Sequence, residues 1–394
     1  MIQAVLSNKQ HPEYGVATVP FPIVKDEYDH ILALLEPLGI GDAVKHDCHI
    51  EEVRGDFPAL KQMELTNANL DELDYLAKRL DSFDEYEKAQ FQGMASRLEF
   101  HSADEFINLT FCCQKATVIT DFSNMEALGR RHFLTMNGGA ASPEEMQSKD
   151  FRKIAQELLD QQVGRVTHYG VVYDNDFEMT ELYDGRRFPE YHYEDCVLEM
   201  EMSLRFAPVE NPATYLYLPM TQSQIERAML RAGIDSYGDM SLQFMESKLP
   251  DEIDAILDFE NENLSDLNDL CRTVAPLSSL ECAMLGAAVL LAQPECAAQV
   301  RQLAENLDQF DFVLGVHSPK EYGEYMIKES AHFQYDENLA EFYDFEKYGR
   351  QRVEQEGGVF NQRGYIAYQG TLSLDELMQG DPIENMGPQM GGME

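Results

Sequence analysis

The pattern of residues in the first third of the chain recurs after about residue 212, and this repetition constrains the fold more than any other feature. Phe21-Pro22 precedes a helical pattern that ends at Gly39, and Leu218-Pro219 precedes one that ends at Gly233. Internal similarity of this kind indicates that each copy is a structural unit of its own. The sequence therefore predicts two related three-part modules, separated by a small β-rich insert.

The clearest local signal in each copy is the start of a helix. Asn69 is a good cap residue, and Glu72 follows it by three positions, as in a capping box. Leucines at helical spacing come next, and Asn263 begins the same pattern in the second copy. We expect an amphipathic helix after each of these asparagines.

Turn-forming and apolar residues predict three further elements. Residues 2–6 and 14–21 flank a turn at His11-Pro12-Glu13, which is typical of a β-hairpin. A helix should begin after Pro22 and end near Pro37. Residues 283–292 form the most apolar stretch, which is too short to cross a membrane and indicates a buried core helix.

The fold class predicted from these patterns is α+β: an elongated, multi-domain chain of small antiparallel β-sheets with packed helices and helical subdomains. Within the insert, we expect residues 165–173, 182–186 and 196–200 to form one small antiparallel sheet. The predicted domains are an α/β module at 1–62, a helical or α+β module at 63–150, the β-rich insert at 151–211, a second α/β module at 212–262, a helical module at 263–320, a C-terminal module at 321–375 and a flexible tail at 376–394.

The net charge limits what the protein binds. The chain has 30 Lys and Arg against 71 Asp and Glu, so its formal charge is 30 − 71 = −41. Such a charge argues against binding to nucleic acid or to an anionic membrane, and it favours a basic partner. Because 44% of the residues are hydrophobic, the chain should fold rather than remain disordered.

Cysteine content and the N-terminal sequence bear on location. Seven cysteines are an odd number in a long chain, which fits free thiols in a reducing cytoplasm. The first residues lack a basic segment followed by a long apolar one, so no signal peptide is predicted. We expect a cytoplasmic protein without a disulfide framework.

Carboxylates are concentrated in three segments. Like charges at this density destabilise the folded state, so we expect them to be retained because they serve a function. Those of residues 71–87 lie mostly off the leucine stripe and should face solvent. We expect the acids of all three segments to stand in for DNA phosphates and to occupy the nucleic-acid site of a DNA-binding protein. They are Asp71, Glu72, Asp74, Asp81, Asp84, Glu85, Glu87, Asp251, Glu252, Asp254, Asp258, Glu260, Glu262, Asp266, Asp269, Asp336, Glu337, Glu341, Asp344 and Glu346.

Two segments resemble the ArdA-type antirestriction proteins of conjugative elements and phages. Residues 339–350, followed by residues 364–368, are similar to that family's C-terminal helix and closing strand, and residues 263–270 are similar to its middle helix. The resemblance is best over residues 214–370 and weaker over residues 1–140. It implies a string of small α/β and helical domains, elongated dimers formed through the C-terminal part, and inhibition of type I restriction-modification enzymes by DNA mimicry.

Enzymatic chemistry finds little support, so we predict no catalytic residue, no cofactor and no metal site. The sequence from His46 to His49 contains ligand types, but adjacent strand residues point to opposite faces. Cys112 and Cys113 lie in an apolar stretch and should be buried thiols. Two alternatives stay open: an acidic adaptor that binds another basic nucleic-acid-handling or defence protein, and a hydrolase or metal enzyme.

Overall fold

The structure is a computed structural model that describes residues 2–206, 213–330 and 334–380. Helices and several small antiparallel sheets alternate along the chain, which confirms the α+β prediction. The elements up to residue 173 are β1 (Ile2–Ser7), β2 (Val16–Phe21), α1 (Tyr28–Leu35), β3 (Cys48–Gly55), β4 (Asn67–Ala68), α2 (Leu70–Asp81), α3 (Glu85–Leu98), α4 (Ala103–Thr110), β5 (Thr117–Ile119), α5 (Met125–Met136), α6 (Pro143–Ser148), α7 (Phe151–Gln161), β6 (Arg165–Thr167) and β7 (Gly170–Tyr173).

In the part of the chain that the structure describes, the elements after residue 197 follow a similar order, but they include no strand equivalent to β4, they have a 3-10 helix at Glu337–Phe342 in place of α6, and they add α15. They are β8 (Leu198–Leu204), β9 (Thr214–Leu218), α8 (Gln222–Ala232), β10 (Met240–Ser247), α9 (Asp251–Asp254), α10 (Leu264–Val274), α11 (Ser279–Ala292), α12 (Ala297–Glu305), β11 (Phe310–Leu314), α13 (Pro319–Lys328), α14 (Phe345–Glu356), β12 (Val359–Phe360), β13 (Gly364–Tyr368) and α15 (Leu374–Gln379). For the predicted duplication, we call residues 2–173 the first repeat and residues 198–368 the second repeat.

The sheets of the two repeats have matching strand orders. In the first repeat the orders are β2-β1-β3-β4 and β5-β7-β6, and in the second they are β9-β8-β10 and β11-β13-β12. The predicted hairpin is confirmed, since β1 pairs antiparallel with β2 from Ile2 opposite Phe21 to Ser7 opposite Val16. The peptide bonds Phe21-Pro22 and Leu218-Pro219, which follow β2 and β9, are both cis.

From α2 onward, the two repeats share one register. The capping asparagines give 263 − 69 = 194, the first residues of α3 and α11 give 279 − 85 = 194, and the caps of α7 and α14 give 344 − 150 = 194. Residues 99 and 293, which end α3 and α11, both have positive φ angles. Residues 69–173 and 263–367 therefore have equivalent elements without an insertion between them.

A glycine lies at the crossing point of one helix pair in each repeat. A Cβ atom on Gly129 of α5 would lie 1.7 Å from the carbonyl oxygen of Phe151 in α7. A Cβ atom on Gly323 of α13 would lie 1.9 Å from the carbonyl oxygen of Phe345 in α14. Because these distances exclude any side chain, the backbones of the paired helices are in direct contact.

The described residues divide into two compact units that do not follow the repeats. One unit holds residues 2–190, 206, 213–214 and 221–239, so it includes α8 of the second repeat. The other holds residues 191–205, 215–220 and the described part of 240–380. In the first unit, the predicted stripe of α2 is buried at Leu70, Leu73, Leu76 and Leu80. In the second, α11 contains the predicted core helix, with Leu285 and Val289 almost fully buried.

The strands predicted at residues 165–173 and 196–200 of the insert are confirmed in the main, but the insert is wrong at its start, at residues 182–186 and in its single sheet. Residues 151–161 form α7, an amphipathic helix that packs against α5 through Ala155 and Leu158. Strands β6 and β7 join the earlier strand β5, with Val171 opposite Ile119, whereas β8 belongs to the sheet of β9 and β10. Residues 182–186 are not a strand. The expected single sheet is therefore replaced by strands of two sheets, because the pairing partners lie outside the insert.

The predicted start of the flexible tail does not agree with the structure. Residues 374–379 form α15, so the proposed start of the tail at residue 376 falls within a helix. Residues 381–394 lie outside the described residues. Within the part of the chain that the structure describes, none of the helices combines the length and apolar character needed to cross a membrane.

Candidate functional site

Asp71 was expected to face solvent, and the structure shows that it does not. Its side chain is 12% exposed and lies between Arg227 and Arg231 of α8. Arg227 donates from Nε to Oδ1 at 3.3 Å and to Oδ2 at 3.1 Å, Arg231 donates to Oδ2 from both Nε and Nη2, and the Tyr28 hydroxyl donates to Oδ1. Burial raises the pKa of Asp71, but Arg231 and Arg227 outweigh it, so the pKa is lowered and the group is ionised.

Two other acids of α2 are also buried: Glu72, which forms the predicted capping box, and Asp74, for which the prediction that it faces solvent is wrong. Glu72 closes the capping box by accepting from the Asn69 amide at 3.0 Å, and it also accepts from the Tyr183 hydroxyl at 3.0 Å. Asp74 accepts from the Ile23 amide at 2.7 Å and pairs with Lys78 at 2.7 Å. Burial raises the pKa of Asp74. Each carboxylate holds backbone or side-chain donors that would otherwise be unpaired inside the protein.

Glu252 is the predicted surface acid of the second repeat that the structure buries. Its carboxylate, 2% exposed, accepts from Arg363 Nε at 2.7 Å and Nη2 at 2.8 Å, and from Gln362 Nε2 at 2.9 Å. The Arg363 hydrogen bonds lower the pKa of Glu252 to about 2. A Cβ atom on Gly286 of α11 would lie 2.5 Å from its Oε2, so this carboxylate is packed against the core helix.

The remaining acids of the first repeat lie at the junction of α2 and α3. Asp81, Asp84 and Glu85 are exposed, and Glu87 is half-buried. Asp84 accepts from the Glu87 amide at 2.8 Å, while the Glu87 side chain accepts from the Asp84 amide at 3.0 Å. Acidic groups in the first turn also interact favourably with the helix dipole. The capping contacts therefore fix the carboxylates of Asp84 and Glu87 in position.

The acids between residues 251 and 269 surround the short helix α9 and the start of α10. Asp251, Asp258 and Glu260 are exposed, and Asp254, Glu262, Asp266 and Asp269 are half-buried. Burial raises the pKa of Asp254, whose Oδ1 accepts from Ser247 at 2.8 Å. Burial also raises the pKa of Glu262, and the nearby charge of Asp266 adds to the shift. Asp269 differs, because it pairs with two arginines, Arg272 at 2.7 Å and Arg301 at 3.4 Å.

The acids of residues 336–346 are all exposed. They are Asp336, Glu337, Glu341, Asp344 and Glu346. Asp336 accepts from the Asn338 amide at 2.9 Å, and Asp344 caps α14 by accepting from the Lys347 amide at 3.0 Å. This segment therefore presents the densest fully exposed group of predicted acids.

The residues considered for metal or thiol chemistry have other partners. His46 Nε2 lies 2.9 Å from Glu72 Oε1, and His49 Nδ1 lies 2.8 Å from the Asn67 side chain. Among the described residues, no three His, Cys, Asp or Glu side chains are grouped as a metal site would require. Cys112 and Cys113 are buried, as predicted, and burial raises the pKa of both thiols.

Sequence reasoning missed the arginines that hold the buried acids. Arg227 and Arg231 are 156 and 160 residues from Asp71, and Arg363 is 111 residues from Glu252. Only one local signal was available, since Arg227 and Arg231 are four positions apart and lie on one face of α8. That spacing places the two side chains on the same face of the helix, but it does not reveal their partner.

Comparison with known proteins gives a family match for most of the second repeat. Residues 209–367 match the family model described as antirestriction protein (ArdA). The match covers less than half of the chain, and the first repeat lies outside it. No curated protein matches the chain.

Proposed function

Residues 209–367 are of the ArdA antirestriction type, and from this premise we propose that the protein is an antirestriction DNA mimic. Its surface carboxylates occupy the DNA-binding site of a type I restriction-modification enzyme. The protein then acts in the cytoplasm, by binding and without catalysis, and it contacts neither nucleic acid nor membrane.

One observation carries the proposal: two of the three acidic segments, residues 251–269 and 336–346, lie inside the matched region. A DNA-binding cleft uses Lys and Arg to neutralise phosphates, which are spaced at about two charges per 3.4 Å of duplex. The total charge of −41 equals that of roughly 20 base pairs. The match supplies the antirestriction role, and the exposed acids supply a physical means for it.

The mimic surface consists of the acids that are not buried against internal donors. Asp71, Glu72, Asp74 and Glu252 satisfy buried donors, so we remove them from the surface. The exposed acids at residues 81–85, 251–260 and 336–346 remain, with the half-buried ones beside them. Because the field is distributed, no single member should be essential.

The decisive experiment is competition with DNA for a purified type I restriction-modification enzyme. The full chain should displace a bound duplex at a fixed stoichiometry, and displacement should weaken steeply as salt rises, because the contacts replace phosphate contacts. Displacement that is insensitive to salt would favour an acidic adaptor with an apolar docking surface. No displacement at any salt concentration would overturn the proposed target.

Charge-neutralising variants test whether the surface is distributed. Asp266→Asn alone should change inhibition only slightly, whereas Asp251→Asn, Asp258→Asn and Glu260→Gln together should weaken it and reduce the salt slope by about one per lost contact. The matched control neutralises three exposed acids between the repeats: Glu178→Gln, Glu181→Gln and Glu190→Gln. Complete loss of inhibition from Asp266→Asn would point to a local site instead.

A further inference from the structure

The first repeat contains a groove whose charge does not fit the rest of the chain. It has a volume of about 850 Å³ and lies between the start of α3, the turn at residues 114–115 and one face of α5. Three exposed basic residues line it: Lys115, Arg130 and Arg131. A cavity of this size is within the range that binds small ligands. Because the groove lies outside residues 209–367, the family match does not account for it.

The cationic groups of this groove are available to a ligand. The Arg131 guanidinium lies over the Tyr86 ring at 4.9 Å, which orients the arginine without neutralising it. In the described parts of the chain, no carboxylate forms a salt bridge with Lys115, Arg130 or Arg131. Cations that are gathered around one cavity and lack counter-charges favour the binding of an anion.

Two carboxylates also line the groove, and the fold already uses both. Asp84 accepts from the Glu87 amide at 2.8 Å, and Glu87 accepts from the Asp84 amide at 3.0 Å. Glu87 also accepts from Gln114 Nε2 at 3.2 Å. Both acids lie at the N-terminus of α3, where the helix dipole offsets negative charge. These contacts leave the basic side chains as the groups that an anionic ligand would meet.

The other end of the groove is apolar and can hold a ring. Leu134 and Met136 of α5 line this end, and Tyr86 lies beside them with its hydroxyl 3.4 Å from Thr135 Oγ1. The part of α5 that lines the groove, residues 127–136, rises roughly 14 Å at about 1.5 Å per residue. A ligand with a multiply charged end and a planar end, joined over such a length, fits this arrangement.

The corresponding surface of the second repeat lacks this chemistry. At the offset of 194, the two arginines correspond to Glu324 and Tyr325, and the lysine corresponds to Gln309. Tyr86 corresponds to Leu280. Both repeats nevertheless have a capping box at the start of the helix, in α3 and in α11. The helix start is therefore built without the basic residues, which indicates a separate use for them in the first repeat.

We propose that this groove binds a nucleoside polyphosphate. Arg130, Arg131 and Lys115 contact the phosphates, and the base lies at the apolar end beside the Tyr86 ring. A polyphosphate places several charges in one short chain, which matches three cations in one cavity better than the spaced carboxylates of a peptide. The acidic surface of the rest of the chain disfavours a longer nucleic acid. The inference goes beyond the antirestriction role and does not depend on it.

Isothermal titration calorimetry of the full chain with ATP, GTP, CTP and UTP, in metal-free buffer, tests the proposal. At least one nucleotide should bind with a Kd below about 1 mM, and raised salt should weaken binding. Arg130→Gln with Arg131→Gln should weaken it about tenfold or more. Arg152→Gln with Lys153→Gln, on exposed residues of α7, makes the same charge change and should have no effect. Circular dichroism verifies that each variant is folded.

Partial ligands separate nucleotide recognition from a general attraction of anions. Tripolyphosphate has the charge without the base, and the nucleosides have the base without the charge, so each should bind about tenfold or more weakly than the nucleotide. Tyr86→Leu, which introduces the second repeat's residue, should weaken nucleotide binding more than tripolyphosphate binding.

Three results would overturn the inference: no binding of any of the four nucleotides, equal binding of tripolyphosphate, or an equal loss of binding in the α7 variant. No restriction enzyme is used, so these outcomes are independent of the DNA competition.

Discussion

Replacing Asp71 with Asn should destabilise the first unit although it leaves side-chain volume almost unchanged. The substitution removes the one carboxylate between two guanidinium groups, of which Arg227 is 10% and Arg231 5% exposed. Breaking a buried ion pair from one side typically costs about 3–5 kcal/mol, because the remaining charge stays buried and unpaired. Arg227 keeps the Gly41 carbonyl at 2.6 Å, and Arg231 keeps Asn69 at 2.5 Å, so we expect the lower end of that range.

Urea unfolding at neutral pH, combined with hydrogen exchange of the peptides that contain α2 and α8, measures this loss. Both helices should exchange faster in Asp71→Asn, because one carboxylate joins them. Asp81→Asn is the matched control, since Asp81 is an exposed acid at the end of the same helix and its change should cost less than about 0.5 kcal/mol. A loss below about 1 kcal/mol in Asp71→Asn would refute the reasoning.

A compensating variant separates the ion pair from the shape of the site. The second repeat has Ser265, an exposed residue, at the position of Asp71, so the helix itself does not require an acid there. Asp71→Ser combined with Arg227→Met and Arg231→Met should therefore recover most of the stability, as replacement of a whole buried charge cluster often does. Failure to recover it would mean that the backbone contacts of the arginines matter more than their charge.

Two further predictions concern the second repeat. Pairing with Arg363 lowers the pKa of Glu252 from 4.5 to about 2, so its stabilising effect is complete above pH 4.5 and is lost as the pH falls toward 2. The pKa shift of 4.5 − 2 = 2.5 corresponds to about 3 kcal/mol. The difference in unfolding free energy between wild type and Glu252→Gln should therefore narrow by about that amount as the pH falls from 4.5 toward 2. Parallel curves of unfolding free energy against pH for the two proteins would contradict this prediction. Gly323→Ala should cost more than about 3 kcal/mol and lower Tm, because its Cβ would lie 1.9 Å from a carbonyl oxygen of α14. Gly238→Ala, whose nearest atom would be 3.7 Å away, is the control and should be near neutral.

The sequence predicts those parts of the fold that depend on neighbouring residues. The cap at Asn69, the capping box with Glu72 and the leucine stripe of α2 all lie within twelve residues of one another, and all three are confirmed. The hairpin of β1 and β2 is confirmed for the same reason, since its turn joins adjacent strands. Local propensity and periodicity contain enough information for such elements.

Long-range pairing explains the failures. Val171 was assigned to an insert, but it lies opposite Ile119 in a strand that ends before α5. Asp71 was assigned to the surface, but its partners lie more than 150 residues away on α8. A stripe of leucines shows which face of a helix is apolar. It does not show whether a polar face meets water or a pair of arginines.

The two repeats distinguish acids of the framework from acids of the surface. Asp74 accepts from the amide of Ile23, directly after the cis bond to Pro22, at 2.7 Å. Asn268, its equivalent at the offset of 194, accepts from the amide of Met220 at 2.7 Å in the same place. The fold therefore needs an oxygen acceptor here and is indifferent to its charge.

At the position of Asp71 the two repeats differ in environment as well as in charge, because the equivalent residue, Ser265, is exposed. An acid at a buried framework position pairs with the hydrogen-bond donors beside it. Its charge counts toward the total of −41, but a binding partner cannot contact it. The acids of residues 336–346 have no such duty, because they are exposed, and their backbone contacts are those of ordinary turns and caps. Since a mimic needs charge that a basic cleft can reach, the antirestriction surface should be sought first among these exposed acids and not among the acids of α2.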